Sequence, residues 1–411
     1  MVRRFYLGIF VCLMGCTTHL IPADAKQNVS CPQNTSNFDV WVEEFKSYAV
    51  AQGEPKNIVA AVFKDLKENP SVRKSAARQP EFVTPVWTYL DKILSQDRII
   101  RGQQFLAQYR DILNGIEADY GVPPEIILAI WGIESDFGRF KGEINVFEAL
   151  TNVGYATDRR EFACRELLAA LKIVDRGVIK PKEMLGSWAG AMGHTQFLPS
   201  KYLSTAKDRD RSGVPDIWHS LPDVFASTAN HLKEDHWQKG MPWGIEVQLP
   251  VNFSYAEAEL DRFFPLGHWK AAGVKTIKGK PLPSFEGDTS ILLLAGKKGP
   301  AFLVTKNFKA ILGYNYSTSY ALAVSYLSEA IAGRILVQQS WPRQESPLSL
   351  MERIELQQLL KALDLFEGKE DGIIGLGTRK SIRKFQIQQS LPADGYADKE
   401  LLARLRRARG S

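Results

Sequence analysis

The chain has 411 residues, with 52 basic and 46 acidic side chains and a formal net charge of +6. Hydrophobic residues make up 45% and charged residues 24%, as in ordinary soluble globular proteins. This small positive excess does not indicate a dedicated nucleic-acid-binding protein. The length is sufficient for two or three domains.

An apolar run at the N-terminus follows two arginines and is too short to span a bilayer as a helix. It is typical of a secretory signal peptide, which we predict over residues 1–25. Two ways of processing this signal peptide are compatible with the sequence. Small residues favour cleavage after Ala25, whereas residues 13–16, LMGC, resemble a lipobox in which Cys16 would be acylated.

Two cysteines, Cys31 and Cys164, remain once the signal peptide is removed. In an exported chain they could pair, which would tie the N-terminal segment to a later helix. We favour this disulfide, and the alternative is a pair of unrelated free thiols.

Helical periodicity dominates the rest of the chain. An apolar face from Phe38 to Ala49 predicts a helix that Gly53 ends. A similar face runs from Ile99 to Ile116. The further elements that we predict are helices from Pro123, at 161–174 and at 320–331, and strands at 245–249, 291–294 and 302–304.

A polar, proline-containing break near 341–347 divides the mature chain into two predicted domains, 26–341 and 348–410. The second is predicted to be a small all-helical module. Its predicted helices are 350–363, one that carries Ile382 and Phe385, and 399–405.

The segment 126–140, IILAIWGIESDFGRF, contains a candidate catalytic acid. On a helix, Glu134 shares the face of Ile127 and Ile130, so it emerges from an apolar stripe. Such desolvation should raise its pKa, as a general acid in glycoside cleavage requires. Asp136 faces elsewhere, so the two do not form the carboxylate pair of standard glycosidases. The alternative for Glu134 is a solvated residue at a helix end.

Three separated segments resemble, in the same order, the lytic transglycosylase B family of bacterial murein-cleaving enzymes. They are residues 120–140, residues 186–200 (GSWAGAMGHTQFLPS) and residues 311–331 (ILGYNYSTSYALAVSYLSEAI). The resemblance covers nearly the whole mature chain. It implies a mainly α, lysozyme-like transglycosylase domain with a small β element, in which Glu134 matches the family's catalytic acid/base.

The second segment has the composition expected of a sugar cleft. Ser187 and Gln196 can hydrogen-bond hydroxyls, acetamides or the catalytic carboxyl, and Met192 offers apolar surface to a pyranose ring. Its glycines would allow close approach of a ligand. The alternative is a glycine-rich turn that packs into the core.

In the third segment, Asn315 resembles the family residue that supports the reacting acetamide. Tyr314 and Tyr320 could line the cleft, and the alternative for both is ordinary core packing with a satisfied hydroxyl.

The resemblance implies a chain that is exported to the periplasm and, as a monomer, cleaves peptidoglycan strands. One carboxyl would act as acid and then base, giving 1,6-anhydromuramic ends without consuming water and without a cofactor. Cell-wall remodelling proteins would be possible partners. The competing functions are a hydrolytic muramidase, which needs a positioned water and usually a second carboxylate, and a non-catalytic wall-binding scaffold.

A calcium loop is a further hypothesis. Asp208, Asp210 and Ser212 alternate as in the beginning of such a loop, and some relatives carry an EF-hand-like site here. The twelfth position is His219 rather than Glu, although Asp223 could supply the closing carboxylate. The alternative is a polar surface turn.

The C-terminal module resembles the peptidoglycan-binding module often attached to wall hydrolases. Matching features are the Asp371-Gly372 and Asp394-Gly395 turns and the core residues Ile382 and Phe385. Such a module would raise the local enzyme concentration at an insoluble substrate.

Overall fold

The computed structural model describes residues 30–33, 36–72, 84–334 and 339–410. The predicted signal peptide and lipobox lie outside these residues. Within the described part of the chain, no helix has the length and apolarity to cross a membrane.

The first part of the fold is helical, as the periodicity predicts. The single face predicted between Ile99 and Ile116 is divided between two helices, because the chain changes direction at Tyr109. The helices are α1 (Phe38–Ala51), α2 (Lys56–Phe63), α3 (Val86–Ile93), α4 (Gln96–Gln108), α5 (Arg110–Tyr120), α6 (Pro124–Ser135), α7 (Val146–Ala156), α8 (Arg160–Asp175), α9 (Pro199–Thr205) and α10 (Leu221–Glu234).

Two hydrophobic cores meet in this helical part. In one, α1 and α2 pack near α7 and α8 around the fully buried Trp41, Phe45 and Phe147. A disulfide joins Cys31 to Cys164 of α8, with Cα atoms 6.1 Å apart, so the chain before α1 is held on this core. In the other, α6 lies in the centre and packs against α4, α5 and α10.

A five-stranded antiparallel sheet packs one face on this second core and the other on a smaller core of its own, and it is larger than the three predicted strands. The strands are β3 (Gly244–Gln248), β4 (Phe264–Pro265), β5 (Lys275–Thr276), β6 (Asp288–Leu293) and β7 (Ala301–Thr305). Their order in the sheet is β4-β6-β7-β3-β5, and Leu303 of β7 lies opposite Ile245 and Ile291. The two edge strands have only two residues each, too few for a periodic signal.

Five further elements complete this part of the fold. The short strands β1 (Ile144–Asn145) and β2 (Leu185–Gly186) form an antiparallel pair. Helix α11 (Leu266–Ala271) packs on the sheet, while α12 (Lys306–Tyr314) and α13 (Thr318–Ile331) follow β7. Helix α13 packs against α6.

The C-terminal part is a three-helix unit with its own core, as predicted. It contains α14 (Leu350–Ala362), α15 (Leu376–Gln388) and α16 (Lys399–Arg409). Its centre includes the fully buried Leu360, Ile382 and Leu405.

Two arginines of α15 fasten this unit to the rest of the protein. Arg379 donates to the carbonyl oxygens of Leu293 and Leu294, and Arg383 donates to that of Ala258 at 2.6 Å. These bonds to backbone carbonyls hold the unit against the end of β6 and against the segment that precedes β4.

Candidate active site

Helix α6 carries Glu134 to the edge of the core. Pro124 stands in its first turn, where the missing N–H costs nothing, and Asp136 ends it in a left-handed conformation with φ of 50°. Ile127 and Ile130 are fully buried, whereas Glu134 is half-buried. The apolar face predicted from sequence therefore exists, and the carboxyl emerges from it.

Two tyrosines from the third sequence segment lie behind this carboxyl. Tyr320, in the first turn of α13, donates its hydroxyl hydrogen bond to Oε1 of Glu134 at 2.5 Å. Burial and then the charge of Glu134 raise the pKa of Tyr314 and of Tyr320 well above the ordinary value. Both phenols therefore keep their protons and act as donors.

Tyr314 links α12 to the glycine-rich segment. Its hydroxyl donates to the carbonyl oxygen of Thr195 at 2.7 Å, and its ring stacks on His231 with centroids 4.4 Å apart. Asn315 follows at the helix end in an extended conformation and is half-buried. The third segment is thus divided between a wall of the site and a support for the facing loop.

The glycine-rich segment 186–197 is a compact loop held by its own polar groups. The Ser187 hydroxyl oxygen accepts from the backbone N–H groups of Ala189 and Ala191. The Gln196 side-chain amide donates to the carbonyl oxygens of Lys141 and Gly193 at 3.1 and 2.9 Å. Both of these hydrogen bonds of Gln196 therefore use its side-chain N–H groups.

The structure differs from the sequence expectation at Met192. This side chain is fully buried in the hydrophobic core, so it offers no surface to a pyranose ring. The glycines nearby also serve internal packing. A Cβ on Gly193 would lie 2.6 Å from the carbonyl oxygen of Ile217, and its φ is 63°. The interpretation of this segment as a turn packed into the core holds for these two positions.

Asp136 is close to Glu134 in sequence but belongs to a separate ion-pair cluster. Its carboxylate accepts from Arg101 at 2.7 Å, from Arg139 and, more weakly, from Arg98. Burial acts to raise the pKa of Asp136, but the hydrogen bonds and charges of the arginines outweigh it and lower the pKa below its ordinary value. Asp136 therefore stays ionised and fastens the helix end to α4.

His194 is a residue of the site that the sequence analysis did not single out. Its Nδ1 accepts a 2.9 Å hydrogen bond from Nε1 of Trp131, one turn before Glu134. Burial and then the charge of Lys141 lower the pKa of His194 to about 4, so the ring is neutral. In the sequence, only its position within the second of the three family segments, residues 186–200, pointed to this histidine.

The predicted calcium loop brings three carboxylates together. Asp208, Asp210 and Asp223 each place an oxygen within 4.8 Å of the others. Backbone N–H groups already bind them, since Asp223 accepts from Arg209, Asp210 and Asp216. The Ser212 hydroxyl instead donates to a backbone carbonyl within the loop. Oxygen donors of this kind suit a hard divalent cation, although each carboxylate also has a structural role.

Known proteins resemble this chain over most of its length. The profile "Transglycosylase SLT domain" matches residues 37–329, and "Putative peptidoglycan binding domain" matches residues 351–405. The membrane-bound lytic murein transglycosylase B of Escherichia coli is 32% identical over 265 residues, which cover 63% of this chain and 71% of that protein.

Solved structures agree with these matches. SltB3 from Pseudomonas aeruginosa, in complex with NAG-anhNAM-pentapeptide, is 45% identical with a TM-score of 0.85, covering 90% of this chain and all of that one. The Escherichia coli lytic transglycosylase Slt35, in complex with calcium, is 29% identical with a TM-score of 0.61, covering 71% and 92%. The chain therefore belongs to the lytic transglycosylase family that shares the Transglycosylase SLT domain.

Proposed function

We propose that this enzyme cleaves the β-1,4 bond between N-acetylmuramic acid and N-acetylglucosamine in peptidoglycan without consuming water. Glu134 protonates the glycosidic oxygen, and the muramic acetamide meets the positive charge that develops at the anomeric carbon. The Glu134 carboxylate then takes the proton of the muramic C6 hydroxyl, which attacks internally to form the 1,6-anhydro end. The tethered nucleophile supplies the advantage of an intramolecular reaction.

The observation that carries this proposal is the setting of one half-buried carboxyl at the end of an apolar helix. Tyr320 donates to Glu134 at 2.5 Å, which is the hydrogen bond that a carboxylate needs after it has given up its proton. The neighbouring carboxylate, Asp136, is held by arginines. Asp136 is thus poorly suited to activate a water molecule, which is the task of the second carboxylate in an inverting hydrolase.

Three polar residues are assigned to the substrate. The Ser187 hydroxyl accepts two backbone N–H groups and keeps its own proton to donate. Gln196 offers its carbonyl oxygen to a sugar hydroxyl or amide, and the half-buried Asn315 supports the reacting acetamide. Tyr314 acts through the loop that it holds, by its bond to the Thr195 carbonyl.

The predicted calcium loop would hold the ion through Asp208, Asp210 and Asp223, and the ion would neutralise the charge of these three carboxylates. A thermal-shift titration tests this without reference to activity. Calcium should raise the melting temperature of the wild type but not that of Asp210→Asn, and equal shifts would reject the site.

Residues 26–341 form the proposed catalytic domain and 348–410 the proposed wall-binding domain, in a monomer exported to the periplasm. The related Escherichia coli protein is named as membrane-bound, which accords with anchoring through Cys16 as the alternative to cleavage after Ala25. Electrophoretic mass and lipid labelling of the wild type and Cys16→Ser distinguish the two.

The decisive experiment is mass spectrometry of muropeptides released from purified sacculi by the wild type, Glu134→Gln and a control. The control is Glu43→Gln, because Glu43 is an exposed carboxylate of α1. We expect anhydro-muropeptides from the wild type and the control and none from Glu134→Gln.

Other outcomes would select the competing functions. Reducing-end products from the wild type would indicate a hydrolytic muramidase and a second carboxylate. Sacculus binding without any product would indicate a wall-binding scaffold.

A further inference from the structure

The neutral imidazole of His194 joins three segments of the site. Nδ1 accepts from Trp131 of α6, and the ring lies against Gly138, where a Cβ would come within 2.2 Å of Cε1. The backbone N–H of His194 donates to the carbonyl of Ile217 at 2.9 Å. The backbone of Trp218, which precedes α10, acts to raise the pKa of the ring, against the larger effect of burial.

A second contact runs between the same two segments. The hydroxyl of Ser135, the residue after Glu134, donates to the carbonyl oxygen of His194 at 3.0 Å and accepts from the N–H of Gly138 at 3.1 Å. Both ends of the last turn of α6 are thus bonded to one residue of the glycine-rich loop.

The adjacent residue extends this connection to the far wall. The carbonyl of Thr195 accepts from the Tyr314 hydroxyl at 2.7 Å. The loop that carries Ser187 and Gln196 is therefore held from the side of α6 by His194 and from the side of α12 by Tyr314. A shift at His194 would move the loop relative to Glu134.

We infer that His194 is a positioning residue, which fixes the substrate-binding loop against the turn that carries Glu134 through its hydrogen bond from Trp131. This inference rests on the proposed function. Misplacement of reacting groups by about 1 Å can lower the rate on the order of a hundredfold. We therefore expect loss of the His194 contact to lower kcat rather than to raise KM.

The test compares four purified full-length variants for release of anhydro-muropeptides. His194→Phe keeps a ring without nitrogen atoms, His194→Asn keeps an acceptor near the position of Nδ1, and Trp131→Phe removes the donor. The fourth variant combines His194→Phe with Trp131→Phe. His268→Phe, in the sheet region, is the control.

We expect His194→Phe and Trp131→Phe each to lower kcat about tenfold or more with KM within about twofold. His194→Asn should recover part of the loss. The double variant should be no slower than the slower single variant, because both remove the same bond. Losses that multiply, or a folded His194→Phe with kcat within twofold of the wild type, would overturn the inference.

The outcomes separate this inference from the proposed function. A wild type that releases no anhydro product rejects the proposed function, whereas an active wild type with unaffected variants rejects only the role of His194. If His194→Phe does not fold, Trp131→Phe and His194→Asn decide the question. Trp131→Phe removes the same hydrogen bond while the imidazole stays in place, and His194→Asn keeps an acceptor.

Discussion

The hydroxyl of Tyr320 donates a hydrogen bond to the carboxylate of Glu134 across 186 residues of sequence. The donor stands in the first turn of α13 and the acceptor in the last turn of α6. These helices pack together, so the position of the acid depends on their contact as well as on α6 itself.

Removal of that donor should slow the reaction. Tyr320→Phe is expected to lower kcat about tenfold to a hundredfold, because a hydrogen bond to a charged group is worth about 1.5–3 kcal/mol. Tyr326→Phe is the matched control, since its buried hydroxyl in the same helix has no partner among the described residues. Steady-state rates on soluble glycan strands measure both, and equal rates would contradict the assigned role.

The protein should lose stability in weak acid because of His194. Its pKa is about 4 in the fold, against about 6.5 when unfolded, so the unfolded chain binds more protons between these values. The stabilisation is complete above pH 6.5 and declines as the pH falls to 4. The titratable groups facing the ring are Lys141, His219 and Asp216, and the first two act to favour its neutral form.

Denaturant unfolding at pH 7 and pH 4.5 measures this effect. The difference in unfolding free energy between the two pH values should be smaller in His194→Asn than in the wild type. An identical difference in both proteins would count against the role of this imidazole.

Loss of the disulfide should destabilise the protein without removing the site. Cys31 and Cys164 are 133 residues apart, and closing a loop of that size is worth about 4–5 kcal/mol in the chain-entropy model. Replacing both residues by serine should therefore lower the denaturation midpoint, while kcat below the transition stays near that of the wild type. An unchanged midpoint would show that the bond adds no stability.

The arginine cluster at the end of α6 predicts a stability defect. Asp136→Asn removes the carboxylate that Arg98 and Arg101 share and leaves Arg101 only the exposed Asp97. It should cost about 3 kcal/mol, because Asp136 is largely buried. Asp97→Asn is the control, since Asp97 is exposed and pairs with the same Arg101. Chemical denaturation measures the free energy of unfolding of both variants. An equal decrease in the two would indicate that the buried Asp136 contact stabilises the protein no more than the exposed Asp97 pair.

Docking of the C-terminal unit should depend on α15. Changing Arg379 and Arg383 to methionine removes the donors to the backbone carbonyls of residues 258, 293 and 294. We expect scanning calorimetry to resolve two unfolding transitions instead of one. Arg406→Met removes an ion pair within the unit and should leave a single transition. A single transition in both variants would mean that other contacts suffice for docking.

The helices and their boundaries were largely predictable because they depend on local periodicity. The three-helix unit and α13 begin and end within a few residues of the prediction. The two-residue edge strands had no such signal, because two residues are too few to show a period and only pairing with a neighbouring strand defines them.

What the sequence by itself determined is the family resemblance, the helical framework and the candidacy of Glu134 at the end of an apolar stripe. Only the tertiary structure decided which groups meet it. Met192 looked like a cleft residue and is core, while His194 looked unremarkable and joins α6 to the loop. Periodicity reports which face of an element is buried, whereas hydrogen-bond partners from distant segments are fixed only when the elements pack.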